Sequence, residues 1–190
     1  MLNRIAKQPV SVIMCLVWIV VWVFVVSNDS ILPALCGKGI KQIGSQYYRL
    51  FTAGLVHTNI VHMIANVCAM FWIGYLYEQH LGSVKFLLVG VICAVACQVI
   101  FLTIYSNATE NFGGSGYNFA LCGFALAMQL LVPDFPKLTL GTWSGNWLII
   151  YLITSNIPLL SFMNVTTIIY HVIAFVLGMC VAFVYRMMGV

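Results

Sequence analysis

The sequence predicts an all-α, polytopic membrane protein of six transmembrane helices. Three observations carry that prediction. The mean hydropathy is +1.04, only 6% of residues are charged, and six apolar runs approach the ~20 residues that a membrane-crossing helix needs. Soluble domains carry about 25% charged residues, so this chain lacks the polar side chains to cover itself in water. Its 190 residues suit one compact domain, 1–190, rather than two. Eight basic against four acidic side chains leave a net charge of +4. No basic cluster with interleaved aromatics occurs, which argues against nucleic acid as a partner.

The first run, 10–26, follows Arg4 and Lys7. That arrangement mimics a signal peptide, but the apolar core is long and no small-x-small cleavage site follows cleanly, so it reads as a retained helix. Residues 27–51 are too long for a tight turn and predict structure of their own. The second run, 52–77, is interrupted by His57, His62 and Asn66. The third, 85–105, carries Cys93 and Cys97 at i, i+4; these and the other scattered cysteines read as small hydrophobes. The fourth, 115–132, opens on GGSG. The fifth, 146–160, is short and polar at both ends, and the sixth, 166–186, holds His171 near its start.

With the N-terminus inside, Arg4, Lys7, Lys85, Lys137 and Arg186 are cytoplasmic, while Lys38, Lys41 and Arg49 lie outside. That is the sense the positive-inside bias requires. An even number of spans returns the C-terminus to the cytoplasm. Trp143 and Trp147 then fall at the inner interface, and Asn28, Asn107 and Asn164 of three N-x-S/T tripeptides fall outside.

Polar groups inside spans are costly and default to a functional reading. In this topology spans two, four and six all run inward, so His62, Asn66, Ser115 and His171 meet at one level below the outer surface. His62 and Asn66, at i, i+4, are about 40° apart and share a helix face. His57 and His62, at i, i+5, are about 140° apart, so His57 is expected to brace the outer loop instead. Gly116, Ala120, Gly123 and Ala127 form one narrow stripe on span four. Ala174, Gly178 and Ala182 form another on span six. Stripes of small residues let transmembrane backbones approach closely, which would set Ser115 beside His171. Gly114 and Gly116 are expected to supply the tight turn there.

A serine beside a histidine in a water-poor site is a nucleophile with its base. Alone, the serine would read as a helix N-cap and the histidine as a satisfied structural group. Metal binding competes, since histidines suit zinc or haem iron. Against it, HTNIVH has the wrong period for two ligands on one face. No HExxH occurs, and no carboxylate lies near either histidine. No metal and no cofactor are expected.

From about residue 48 to 182 the chain resembles the rhomboid family of intramembrane serine proteases. The resemblance lies in YRLFTAGLVH, HTNIVHMIAN, GYLYEQHLGSVK, GGSGYNFALCG and HVIAFVLG, in that order. It implies a rhomboid-like six-helix bundle of the bacterial type, in the cytoplasmic membrane, with both termini cytoplasmic. It implies a catalytic dyad of Ser115 and His171, with His62 and Asn66 stabilising the oxyanion. Phe119 matches the aromatic ring that packs on the histidine. Arg49, His57, Glu78, Gly113, Gly114, Gly116, Gly123 and Gly178 match structural positions. Tyr48, Phe119 and Ala174 depart from the family's commoner tryptophan, tyrosine and glycine. The implied substrate is a protein's transmembrane helix, entering laterally from the surrounding lipid, with the fifth span as its gate. Two rivals are a non-catalytic relative that binds transmembrane helices and a small transporter. The largely apolar inner halves of spans two, four and six weigh against the latter. Natural substrate and oligomeric state are not written in the sequence.

Overall fold

The computed structural model describes residues 6–157 and 165–188. Helix α1 (Pro9–Ser27) opens on a proline, where a missing N–H costs nothing. Its next two amides, of Val10 and Ser11, each donate at 2.9 Å to the Glu78 carboxylate, and the Ser11 hydroxyl donates to it as well. A carboxylate here satisfies orphan donors and faces the positive end of the helix dipole. Glu78 lies in a π-turn, Gly74–Glu78, within the long helix α4 (Ile60–Leu81). A side chain on Gly74 would collide with Ser11. The start of α1 is thus pinned to the far end of α4.

The connection after α1 is structured, as its length demanded. It contains α2 (Ile31–Leu35) and α3 (Arg49–Thr52), followed by a 3-10 turn, Ala53–Leu55. Arg49 is buried at its centre, donating to the carbonyls of Pro33 (2.6 Å) and Cys36 (2.9 Å) and to Gln46 Oε1 (2.7 Å). An antiparallel bridge between Gly37 and Asn111 ties this segment to the loop before α6.

The remaining helices are α5 (Ser83–Ile104), α6 (Ser115–Leu131), α7 (Trp143–Thr154) and α8 (Val165–Met187). Nearly every side of α6 is buried, which makes it the central helix. Its closest partner is α8. Gly178 lies on the Ala120 carbonyl, Gly123 lies under the Phe175 carbonyl, and Ala174 and Ala182 are fully buried. The two predicted stripes do pack on each other. On an adjoining face of α6, Gly90 of α5 leaves room for the Tyr117 ring.

Two expectations need correction. The second span does not begin at residue 52. Asn59 Oδ1 accepts from the amides of Val61 (2.7 Å) and His62 (3.4 Å), and this cap sets the start of α4 at Ile60. The fifth begins at Trp143 rather than 146, because the Thr142 hydroxyl caps it through the Gly145 amide (3.1 Å). It ends at Thr154, while its expected end, 158–160, lies outside the described residues. Among the described residues, four helices, α1, α4, α5 and α8, are long and apolar enough to cross a membrane. Helices α6, with 17 residues, and α7, with 12, are shorter. A helix sheathed by its neighbours, as α6 is, has no need to match the lipid's thickness.

Candidate functional site

Ser115 is the first residue of α6, and the loop that delivers it is held from both sides. Gly113 adopts φ +126°, a conformation that favours glycine. Its amide donates to the Ala53 carbonyl at 2.9 Å. The next amide, of Gly114, donates to His57 Nε2 at 3.2 Å. The expected division of labour among the glycines is therefore wrong. Gly113 makes the turn; Gly114 gives up its side chain to the Trp18 indole, and Gly116 gives up its own to the Tyr170 hydroxyl.

His57 braces this loop, but from a position just ahead of α4, so the separation of about 140° from His62 expected of a shared helix does not apply. Its ring stands 5.0 Å from that of His62 and 5.5 Å from that of Trp18. Burial, and then the His62 imidazole, push its pKa down from 6.5 to about 3. That keeps Nε2 neutral, as an acceptor for the Gly114 amide must be. Trp18 is fixed in turn by donating to the Gly54 carbonyl at 3.0 Å.

The other candidate residues close around Ser115. A side chain on Gly113 would meet the His62 imidazole and lie 3.8 Å from Ser115 Oγ, so the two groups flank one small space. Phe119, one turn along α6 on the serine's face, stacks on His171 with centroids 4.1 Å apart and planes 6° off parallel. His171 is 1% exposed, and its Nε2 has no hydrogen-bond partner among the described residues. Ser115 is 5% exposed.

Asn66, one turn below His62, belongs to a buried polar network. Its Nδ2 donates to the His62 carbonyl at 2.9 Å, and its Oδ1 accepts from the Tyr151 hydroxyl (2.9 Å) and Asn118 Nδ2 (3.1 Å). Among the described residues, one Nδ2 hydrogen of Asn66 is left over. Three residues of this neighbourhood escaped the sequence reading: Asn118, Tyr151 and Asn156, whose Oδ1 lies 3.1 Å from His171 Nδ1. Asn118 had a usable signal, a strongly polar side chain inside an apolar run. Tyr151 and Asn156 had none, because aromatic and polar residues are ordinary near the ends of a short run.

Ser115 and the His62 ring thus flank one small space, and His171, with Nε2 unpartnered among the described residues, packs one turn along the same face of α6. Residues 44–188 match the rhomboid domain family. The chain is also 33% identical over 89 residues to RHOMBOID-like protein 7 of Arabidopsis thaliana. That alignment covers 46% of this chain and 27% of the relative, so the chain spans about a quarter of that protein's length.

Proposed function

Because this chain belongs to the rhomboid family, we propose that it is an intramembrane serine protease that cleaves transmembrane segments of other membrane proteins. The observation that carries the proposal is the pairing of Phe119 with His171 one helical turn from Ser115, with His171 Nε2 buried and unbonded. In this reading Ser115 Oγ attacks the carbonyl carbon of an unwound peptide bond, and His171 Nε2 takes the hydroxyl proton. The carbonyl's π electrons move onto oxygen. His62, the spare Asn66 Nδ2 hydrogen and the Ser115 amide hold the resulting oxyanion. The C–N bond then breaks, Nε2 returns its proton to the leaving amine, and an acyl-enzyme remains. Water, activated by the same nitrogen, attacks the ester and frees Ser115.

The supporting helices have the roles their packing suits. The α6–α8 seam holds nucleophile and base in register, while Arg49 and Glu78 fix the outer segment and the α1–α4 end. Both termini are assigned to the cytoplasm and the site to the outer half of a bacterial membrane. Lateral entry beside α7 is favoured, because the site contacts of that helix are side-chain bonds rather than a packed seam.

The test is labelling of the detergent-solubilised protein with a fluorophosphonate, comparing wild type, Ser115→Ala and His171→Ala. Wild type is expected to label and both variants to lose the signal. A folded wild type that stays unlabelled would overturn the protease reading in favour of a non-catalytic binder of membrane helices.

A further inference from the structure

The end of α7 meets the site at His171. Asn156, two residues beyond the helix, donates from Nδ2 to the Leu152 carbonyl at 2.7 Å. A carbonyl oxygen can only accept, so this bond decides which end of the amide is nitrogen. The other end, Oδ1, stands 3.1 Å from His171 Nδ1. An amide oxygen also only accepts, so Nδ1 must carry the ring's proton and Nε2 must be the bare nitrogen. Phe119 fixes the plane of the imidazole by stacking. Asn156 fixes its rotation within that plane, and with it the direction in which Nε2 points.

We infer that Asn156 is a positioning residue that holds His171 as the Nδ1–H tautomer, with Nε2 aimed to accept a proton. The inference rests on reading His171 as the base and extends the pair to an Asn–His–Ser relay. The third member is a neutral amide, which orients the ring without the added basicity that a carboxylate confers. The titratable groups facing the ring are His62 from α4 and Tyr170 on α8 itself. From α6 and from the segment after α7 it meets Phe119 and Asn156, neither of which titrates.

The experiment is long-range 15N–1H NMR of histidine-labelled Ser115→Ala protein in micelles, with His171 assigned by its loss in His171→Gln. His171 is expected in the Nδ1–H form. Asn156→Leu should shift it toward the Nε2–H form. Asn156→Asp should keep Nδ1–H and raise the ring's titration midpoint by about 1 pH unit or more. In the chain that retains Ser115, Asn156→Leu should lower kcat about 10- to 100-fold with little change in KM. An Nε2–H ring in the Asn156-intact protein, or an unchanged Nδ1–H ring in Asn156→Leu, overturns the inference. If Asn156→Leu does not fold, Asn156→Asp decides, because an unmoved midpoint overturns it equally. The tautomer is read on protein without the serine, so it stands or falls separately from fluorophosphonate labelling, which tests the protease reading.

Discussion

Two sides of the central helix are built on different physics. Toward α8, α6 presents Gly116, Ala120 and Gly123, and the contact is backbone against side-chain-free backbone. Toward α4 and α7 it presents Asn118 to a network of hydrogen bonds that includes Asn66 and Tyr151. The first side fixes distance: nothing can enter a seam where a carbonyl occupies the place of a Cβ. The second fixes direction, since a hydrogen bond constrains angle and donor identity as well as separation. The proposed site needs both, Ser115 and His171 close together and the Asn66 amide correctly aimed. The molecule assigns these requirements to opposite faces of one helix.

The sharpest way to break the comparison is to fill the packed side. In Gly178→Val the new side chain would run into the Ala120 carbonyl and the Phe124 amide. Because these are backbone atoms, the neighbour cannot swing away. The cost should exceed the roughly 1–3 kcal/mol of ordinary overpacking. The expected outcome is a fall in thermal midpoint together with loss of fluorophosphonate labelling. A variant that keeps its midpoint and loses only labelling would show that the seam is looser than a fixed spacer.

The hydrogen-bonded side should answer to pH instead. Folded His57 is pushed down to about 3, while unfolded it returns to its ordinary value of 6.5. The unfolded chain therefore binds the proton first as pH falls. Stability is fully present above pH 6.5 and is lost as pH drops from there toward 3, at up to about 1.4 kcal/mol per pH unit. Ser115→Ala protein should show a thermal midpoint that declines across this window. Adding His57→Gln, which keeps an acceptor within reach of the Gly114 amide, should make the decline shallower. An equal decline in both proteins would assign the pH response to another group.

The same two kinds of physics explain what the sequence disclosed. Packed seams repeat at helical period, so the stripes containing Gly123 and Gly178 could be read and paired before any coordinates. Ser115, His171, His62 and Asn66 stood out because a polar side chain in an apolar run is conspicuous. The directional half was largely hidden. Hydropathy does not register an Asn59 cap, so α4 was started eight residues early, at 52 instead of Ile60. Three glycines within four residues do not say which one takes positive φ; the structure gives it to Gly113, whose amide bonds the Ala53 carbonyl. Tyr151 lies in a short helix, and Asn156 just beyond it, where polar ends look like an interface. Their partners are 85 and 15 residues away, and no local pattern encodes such a pairing.

The smallest predicted effect tests whether direction matters apart from stability. The Tyr151 hydroxyl donates to Asn66 Oδ1 at 2.9 Å and also lies 3.4 Å from Asn118 Nδ2. Tyr151→Phe removes that hydroxyl and leaves the ring, which stays beside Phe119. Asn118 Nδ2 continues to donate to the same Asn66 oxygen, so no buried acceptor is stranded. The stability change should be about 1 kcal/mol or less. Catalysis should suffer more if the Asn66 amide must be held at a set angle to a developing oxyanion, with kcat falling about 10-fold and KM nearly constant. Equal small losses in midpoint and rate would instead make Tyr151 a packing residue, and would leave Asn118 as the group that aims Asn66.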